Sequence, residues 1–232
     1  MMKENNQNNQ KRNQSLKLTA TLLVLFCLVI LLISGCKSAS TKEQLPEPEK
    51  RHQTAERPWY LTLVNRWNPL PENYDLDLKE VEGGELVDER IYEPLMEMLE
   101  AAKAEGLGPI VVSGYRTREV QQKFMDEKID SFRQEGYSKG EAEKLAKQWV
   151  AVPGTSEHEL GIGVDINGDT YDIYPWLQEN SYKYGFVFRC PADKKDITGI
   201  AEEVWHYRYV GVKAATEMYE RGLCLEEYLD SL

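Results

Sequence analysis

Residues Ser156–Ile166 read SEHELGIGVDI, and about forty residues further on Glu203–Tyr207 read EVWHY. Together the two segments supply His158, Asp165 and His206. Two neutral imidazoles and one carboxylate form a three-ligand set that leaves a fourth zinc position open, as in catalytic rather than structural zinc sites. The chain has three histidines, so two of them stand where a metal site requires them.

The residues around these ligands support the metal interpretation. Gly161 and Gly163 separate the first two ligands and let a loop bring both to one point without side-chain crowding. Asp165 follows an apolar residue in the strand-like string GVDI, where a buried carboxylate needs a partner such as a cation. Glu203 precedes His206 by three residues, which places the two side chains near each other on a helix or tight turn. Glu203 is therefore predicted to approach a metal-bound water without binding the metal. An ordinary structural role for both histidines is the alternative.

The start of the chain predicts export. Four basic residues precede an apolar or small stretch of sixteen residues, Leu18–Ile33. This stretch is short for a membrane-spanning helix of about twenty residues, and it has the charge order of a secretory signal. An uncleaved membrane anchor is the alternative. The sequence ISGC that ends at Cys36 resembles the lipobox of bacterial lipoproteins, which implies removal of residues 1–35 and acylation of Cys36, with two chains sufficient for stable anchoring.

Composition predicts three regions and excludes one class of partner. Residues 1–35 are read as a lipoprotein signal peptide, residues 36–57 as a polar, lipid-anchored flexible tether, and residues 58–232 as one domain with its own core. The whole chain has 28 Lys+Arg and 39 Asp+Glu. Without residues 1–35 the balance is 24 against 38, a formal charge of −14. Such an acidic domain is not expected to bind nucleic acid.

Two cysteines remain in the predicted mature domain, Cys190 and Cys224. An exported protein allows a disulfide between them, and their spacing does not decide whether it forms. Neither belongs to a Cys-x-x-Cys pair, so a thiol nucleophile is not predicted.

Hydrophobic periodicity predicts an α+β domain, a small antiparallel sheet flanked by helices. The predicted strands are Tyr60–Asn65, a buried Pro109–Ser113, Gly163–Asn167, Gly185–Arg189 and Trp205–Val210. The predicted helices are Glu89–Glu105, one from Thr117 with Val120, Phe124 and Ile129 on one side, one from Ser138 with a capping box to Glu141, one begun by Pro175, and Val212–Arg221.

Five stretches in order carry a family resemblance: LTLVNRWNPLPENY, SGYRTREVQQKF, PGTSEHELGIGVDIN, YGFVFRCP and DITGIAEEVWHYRYVG. They resemble the VanY-type D-alanyl-D-alanine carboxypeptidases, zinc peptidases of the bacterial cell wall with the Hedgehog/DD-peptidase fold. The resemblance runs from about Trp59 to Leu223. It implies that the two histidines and Asp165 bind zinc and that Glu203 is the catalytic base. It also implies that Arg116 contacts the substrate carbonyl or carboxylate, with Gln121 and Ser156 lining the same pocket.

The implied activity is removal of the terminal D-alanine from peptidoglycan stem peptides by attack of a metal-bound water. An L,D-carboxypeptidase, a D,D-dipeptidase and a non-catalytic wall-binding lipoprotein are the alternatives. The expected protein is a monomer, anchored by lipid to the extracytoplasmic side of the cell membrane.

Some residues near the motifs are assigned no chemistry. Gly163 stands where the family pattern more often has alanine, Val204 where it usually has proline, and Cys190 where it often has an aromatic residue. Glu157 and Glu202 lie beside the motifs, but they are out of phase with the residues that match.

Overall fold

The computed structural model of the chain describes residues 57–232. The predicted signal segment, Cys36, His52 and most of the predicted tether lie outside this range. Within it the chain forms six strands and seven helices. In chain order they are β1 Leu78–Glu80, β2 Leu86–Asp88, α1 Glu89–Ala104, β3 Ile110–Ser113, α2 Arg118–Gln134, α3 Lys139–Ala146, β4 Gly163–Asn167, α4 Ile173–Asn180, β5 Phe186–Phe188, α5 Lys195–Thr198, β6 His206–Tyr209, α6 Val212–Arg221 and α7 Leu225–Asp230. Short 3-10 turns cover Trp59–Leu61, Glu157–Leu160, Ser181–Tyr184 and Ala192–Lys194. In residues 57–232 we find no helix whose length and hydrophobicity would let it cross a membrane.

A four-stranded antiparallel sheet in the order β3-β4-β6-β5 forms the centre of the domain. Its register places Asp165 of β4 opposite His206 of β6 on one side and opposite Ser113 of β3 on the other. The sheet therefore brings together residues that are far apart in the sequence. A separate two-stranded hairpin, β1-β2, precedes α1.

The two faces of the sheet have different chemistry because side chains alternate along each strand. Val164 and Ile166 of β4, with Tyr207 of β6, belong to the main apolar core, against which α1 packs. Asp165, which lies between Val164 and Ile166, and His206, which precedes Tyr207, point to the opposite face. The alternation thus gives one strand pair both a buried apolar surface and a polar site.

The local sequence of α1 provides a side-chain cap for its first turn and apolar residues for its buried face. The Asp88 side chain accepts a hydrogen bond from the Arg90 backbone N–H at 2.9 Å, which caps the first turn. The residues of its predicted apolar stripe are all buried: Ile91, Leu95, Met98, Leu99 and Ala102. The predicted helix over Glu89–Glu105 is confirmed to within one residue.

Most other predicted elements, and the fold class, are confirmed. The predicted strand Gly163–Asn167 and helix Val212–Arg221 have the predicted bounds. Ser138 and Glu141 form the predicted capping box at the start of α3. Helix α4 begins at Ile173, two residues before Pro175.

The predicted strand over Tyr60–Asn65 is wrong. A 3-10 turn covers Trp59–Leu61, and the following residues belong to no strand; Asn65 forms only an isolated antiparallel bridge with Asn68. The alternating apolar side chains do enter the protein interior, but the backbone is held by a side chain. Arg208 Nη2 donates to the carbonyl oxygens of Tyr60 and Thr62 at 3.1 and 2.8 Å.

Two predicted burial patterns also differ from the structure. Strand β3 is an edge strand, and Ile110 and Val112 are 48% and 44% exposed rather than buried. On α2 the buried residues are Gln121 and Met125. The predicted stripe through Val120 and Phe124 is largely exposed, because α2 packs mainly on α3 rather than on the sheet.

Four short elements have no counterpart in the predictions: β1, β2, the four-residue α5 and α7. β1 and β2 are three residues each and join through Gly83 and Gly84, both with positive φ. α7 has six residues and begins with a capping interaction between Cys224 and Glu227. Elements of this length give too few residues for a periodic signal. Cys190 and Cys224 are both buried free thiols, so the disulfide that their export would allow is absent.

Candidate metal centre

The three predicted metal ligands lie together in a buried cluster. His158 is in the 3-10 turn before β4, Asp165 is in the middle of β4, and His206 begins β6. Asp165 Oδ1 is 2.9 Å from His206 Nδ1 and 3.3 Å from His158 Nε2. One ligand atom from each side chain lies within 4.8 Å of the others, and all three residues are buried. No second group of this kind occurs in residues 57–232.

The two separations measured from Asp165 fit a tetrahedral zinc ion. Zinc–ligand bonds of about 2.0–2.2 Å place two tetrahedral ligand atoms roughly 3.3 Å apart. The distances from Asp165 Oδ1 to the two histidine nitrogens, 2.9 and 3.3 Å, are close to that value. Two imidazoles and one carboxylate leave one of four positions open, which is typical of a catalytic zinc.

Hydrogen bonds on the outer nitrogens orient both imidazole rings. His158 Nδ1 is 2.7 Å from the backbone carbonyl oxygen of Gly114, so its Nε2 faces Asp165. His206 Nδ1 faces Asp165, and its Nε2 is 3.3 Å from Glu157 Oε2. Such contacts fix which ring nitrogen is free to bind a metal. Burial lowers the pKa of His158 and keeps it neutral, as a ligand must be.

Glycine is favoured at each of the two positions between His158 and Asp165 for a different structural reason. Gly161 ends the 3-10 turn with φ +68°, a left-handed conformation that favours glycine. Gly163 lies in β4, where a Cβ would be 3.1 Å from His206 Cε1 and 3.2 Å from Glu157 Cβ. Glycine at 163 therefore leaves room for the close approach of these two side chains.

Arg116 is fixed beside the metal ligands. Its Nε donates to Ser113 Oγ at 2.8 Å, its Nη1 to Gln121 Oε1 at 3.3 Å, and its Nη2 to Asp165 Oδ2 at 2.6 Å. Its guanidinium carbon lies 4.5 Å from the centre of the Phe124 ring. Since a guanidinium has five N–H groups, these contacts leave two for a substrate. Asp165 thus presents one oxygen to the histidines and the other to Arg116.

Gln121 and Ser156, the two predicted pocket residues, both lie near this site and are buried. The Gln121 amide oxygen accepts from Arg116, and its NH₂ group donates to the Ala151 carbonyl oxygen at 2.8 Å. Both polar groups of this side chain are therefore hydrogen-bonded within the protein. Ser156 directly precedes the turn that carries His158, and its side chain makes no capping hydrogen bond there. Their contacts with a substrate stay predictions.

Glu203, the predicted base, is half-buried on a tight turn before β6. The turn closes with a 2.9 Å hydrogen bond from the His206 backbone N–H to the Glu203 carbonyl oxygen, as the Glu-x-x-His spacing predicted. Burial, together with the charge of Asp165, raises the pKa of Glu203 to about 7, although His206, Arg116 and the Cys190 thiol act in the opposite direction. A carboxyl group with a pKa near neutrality suits proton transfer in both directions.

The sequence interpretation missed Glu157. Its carboxylate contacts His206 Nε2 on one oxygen and two buried arginines, Arg189 and Arg208, on the other. Glu157 and His206 are 49 positions apart and meet because the 3-10 turn Glu157–Leu160 lies against the start of β6. The position of Glu157 within its own segment does not reveal this contact. The sequence signal that could have pointed to Glu157 is the position of Arg189 and Arg208 in strand-like apolar strings. A guanidinium group buried in such a strand needs a carboxylate partner.

The described site defines a class of protein. A buried His, Asp, His set with an open metal position, a half-buried carboxyl group three residues ahead of one ligand and a fixed guanidinium are the parts of a zinc hydrolase site of the peptidase kind. Residues 84–212 match the family model described as VanY: D-alanyl-D-alanine carboxypeptidase. The chain belongs to this family.

Individual relatives agree with the family match. A D-alanyl-D-alanine carboxypeptidase of Enterococcus faecalis (strain ATCC 700802 / V583) is 49% identical over 203 residues, which cover 85% of this chain and 76% of that protein. The structure of VanYB in complex with D-alanine-D-alanine is 53% identical, with a TM-score of 0.73, and covers 75% of this chain and 98% of its own. A mutant of the vancomycin resistance D,D-pentapeptidase VanY from a VanB-type resistance cassette, in complex with Zn(II), is 53% identical, with a TM-score of 0.72 and coverage of 74% and 99%. The expected mixed fold of helices and a small antiparallel sheet is confirmed by these likenesses.

Proposed function

We infer that this protein is a zinc-dependent D-alanyl-D-alanine carboxypeptidase that removes the terminal D-alanine from peptidoglycan stem peptides. The observation that carries the proposal is the buried cluster of His158, Asp165 and His206, whose spacing fits zinc in a chain of the VanY family. The relative in complex with D-alanine-D-alanine shares the fold and half of the aligned residues, which supports this substrate class.

The chain's own residues account for the steps of hydrolysis. His158 Nε2, Asp165 Oδ1 and His206 Nδ1 hold the zinc, which when bound supplies a Lewis acid for the scissile carbonyl and activates water for attack. Glu203 accepts a proton from the attacking water and passes it to the leaving amine. Arg116, with two N–H groups free, stabilises the negative charge on the carbonyl oxygen or binds the substrate's terminal carboxylate.

The test is to incubate the purified protein with a pentapeptide stem and with a tetrapeptide stem, and to measure the products by mass. Loss of one alanine from the pentapeptide, abolished by a chelator and restored by zinc, is the expected result. Cleavage of the tetrapeptide alone assigns the same site to an L,D-carboxypeptidase. Zinc binding without cleavage of either peptide contradicts the proposal.

Arg116→Lys is expected to lower kcat/KM by about 100-fold or more while zinc stays bound, because loss of one oxyanion donor costs about 10²–10³ in rate. A lysine ammonium cannot reproduce the three contacts that fix the guanidinium and still present donors to a substrate. Steady-state kinetics and bound-zinc analysis measure both effects. Arg118→Lys is the matched control, since the Arg118 side chain, two positions further on, is 63% exposed. Unchanged kinetics in Arg116→Lys contradict the assigned role.

We also propose that the protein is a monomeric lipoprotein on the extracytoplasmic side of the cell membrane, with residues 1–35 removed, Cys36 acylated and residues 36–57 as a tether to the catalytic domain. The support is the basic start, the sixteen-residue apolar stretch and the ISGC sequence. Cys36→Ser is expected to lose label from a radioactive fatty acid and to leave the membrane fraction. Cys27→Ser, inside the apolar stretch, is the control. Lipid labelling that persists in Cys36→Ser contradicts the proposal.

A further inference from the structure

Glu157 meets His206 at the ring nitrogen that faces away from the other two ligands. Glu157 Oε2 is 3.3 Å from His206 Nε2, whereas His206 Nδ1 is 2.9 Å from Asp165 Oδ1. A histidine that binds a metal through one ring nitrogen almost always donates the N–H of the other to a carboxylate, a carbonyl or water. The pair formed by Glu157 and His206 has this arrangement.

Two arginines fix the Glu157 carboxylate. Arg189 Nε and Arg208 Nη1 donate to its Oε1 at 2.8 and 3.0 Å, which leaves Oε2 for His206. Two buried guanidinium groups at hydrogen-bond distance supply the positive charge that a buried carboxylate requires. Glu157 is therefore an ionised group that only accepts hydrogen bonds.

The arginines are themselves held by distant parts of the chain. Arg189 forms two hydrogen bonds with Glu226 of α7, at 3.0 and 2.7 Å, and Glu226 Oε1 accepts from Asn65 Nδ2 at 2.9 Å. Arg208 donates to backbone carbonyls in residues 60–62. The side chains of this network are buried, so the carboxylate that contacts the metal ligand has little freedom to move.

We propose that Glu157 is a positioning residue of the zinc site, which accepts the Nε2 proton of His206 and so keeps Nδ1 free and directed toward the metal. The inference deepens the proposed function, because it rests on zinc being held by His206. It also explains why the two arginines are buried here, since Arg189 and Arg208 hold the carboxylate that orients the ligand.

A glutamine at position 157 cannot replace the carboxylate in this role. Its side chain has one acceptor oxygen and one NH₂ donor. If the oxygen stays with the two arginines, the NH₂ group faces His206 Nε2 and stabilises the tautomer with the proton on Nδ1, which cannot bind zinc. If the oxygen turns to His206, the NH₂ group faces two guanidinium groups.

Glu157→Gln is expected to weaken zinc binding by about 10–100-fold, the usual effect of losing such a partner, as measured by competition with a chelator of known affinity. Glu159→Gln is the matched control. Glu159 lies in the same 3-10 turn, and its carboxylate contacts the Gly154 N–H and Arg118 but not His206. Equal zinc affinity in Glu157→Gln and the wild type overturns the inference. If the variant does not fold, as judged by circular dichroism of the metal-free protein, the next measurement decides.

The wild-type protein offers a direct spectroscopic test. With zinc bound, ¹⁵N-histidine NMR is expected to show a His206 Nε2 proton at low field that exchanges slowly with solvent, because it is buried and bonded to a carboxylate. Absence of this signal overturns the inference. A wild-type protein that binds zinc and cleaves the pentapeptide but lacks the signal refutes only the role of Glu157. A wild-type protein that binds no zinc refutes the proposed function itself.

Discussion

Replacing His206 by alanine is expected to remove bound zinc and peptidase activity together. His206 supplies one of three protein ligands, and its Nδ1 lies 2.9 Å from the Asp165 oxygen that also faces His158. Without it only two ligand atoms remain, so zinc affinity should fall by more than the roughly 100-fold effect of losing an outer-shell partner. Activity should fall below detection, since the zinc that polarises the carbonyl is no longer retained.

Metal analysis after dialysis, peptide hydrolysis and thermal unfolding with and without zinc test this expectation. Zinc should raise the unfolding temperature of the wild type, because a ligand that binds only the folded state stabilises it, and should leave that of His206→Ala unchanged. The metal-free variant is expected to lose about 1–3 kcal/mol of stability, because Glu157 Oε2 loses its buried partner. His52→Ala, which changes the histidine outside both motifs, is the control. One zinc per chain and substantial activity in His206→Ala contradict the ligand assignment.

The cluster of His158, Asp165 and His206 could be predicted from the sequence because its signals are local. The string around Asp165 alternates as a strand, and in the structure it forms β4, whose register with β6 places Asp165 opposite His206. His158 precedes the two glycines and the strand, and His206 follows the strand in the sequence. Because the chain has only three histidines, their position in these two motifs favoured a metal site. The predicted Glu-x-x-His turn likewise depends only on residues close in sequence.

The parts that were missed depend on contacts between distant segments. The alternating residues Tyr60–Asn65 favour a strand by themselves, yet Arg208 takes the carbonyl oxygens that a neighbouring strand requires. Glu157 lies next to a ligand, but its importance comes from the fold of a 3-10 turn against β6 and from two arginines more than thirty residues away. Periodicity describes one segment at a time, so it cannot reveal a network that joins five of them.

Replacing Glu203 by glutamine is expected to keep zinc bound and to lower kcat by about 10²–10⁴-fold, the usual contribution of a positioned general base. Glu203 is not one of the three clustered ligands, so the metal site stays complete. Glutamine has a similar size but cannot accept the proton. Zinc analysis and steady-state kinetics separate this result from that of His206→Ala, in which both quantities fall. Glu202→Gln, at the exposed neighbouring position, is the matched control.

The pH dependence of the wild type gives the same assignment a second test. Glu203 acts as a base only when ionised, so kcat/KM should fall as the pH drops below its pKa. Burial and Asp165 raise that pKa to about 7 without metal, and a nearby cation lowers it, so the acid limb should lie at or below pH 7. Glu203→Gln should lose this limb together with its rate, because no ionisable base remains at position 203. A variant that keeps near-normal turnover, or that is slow but keeps the wild-type acid limb, shows that another group takes the proton.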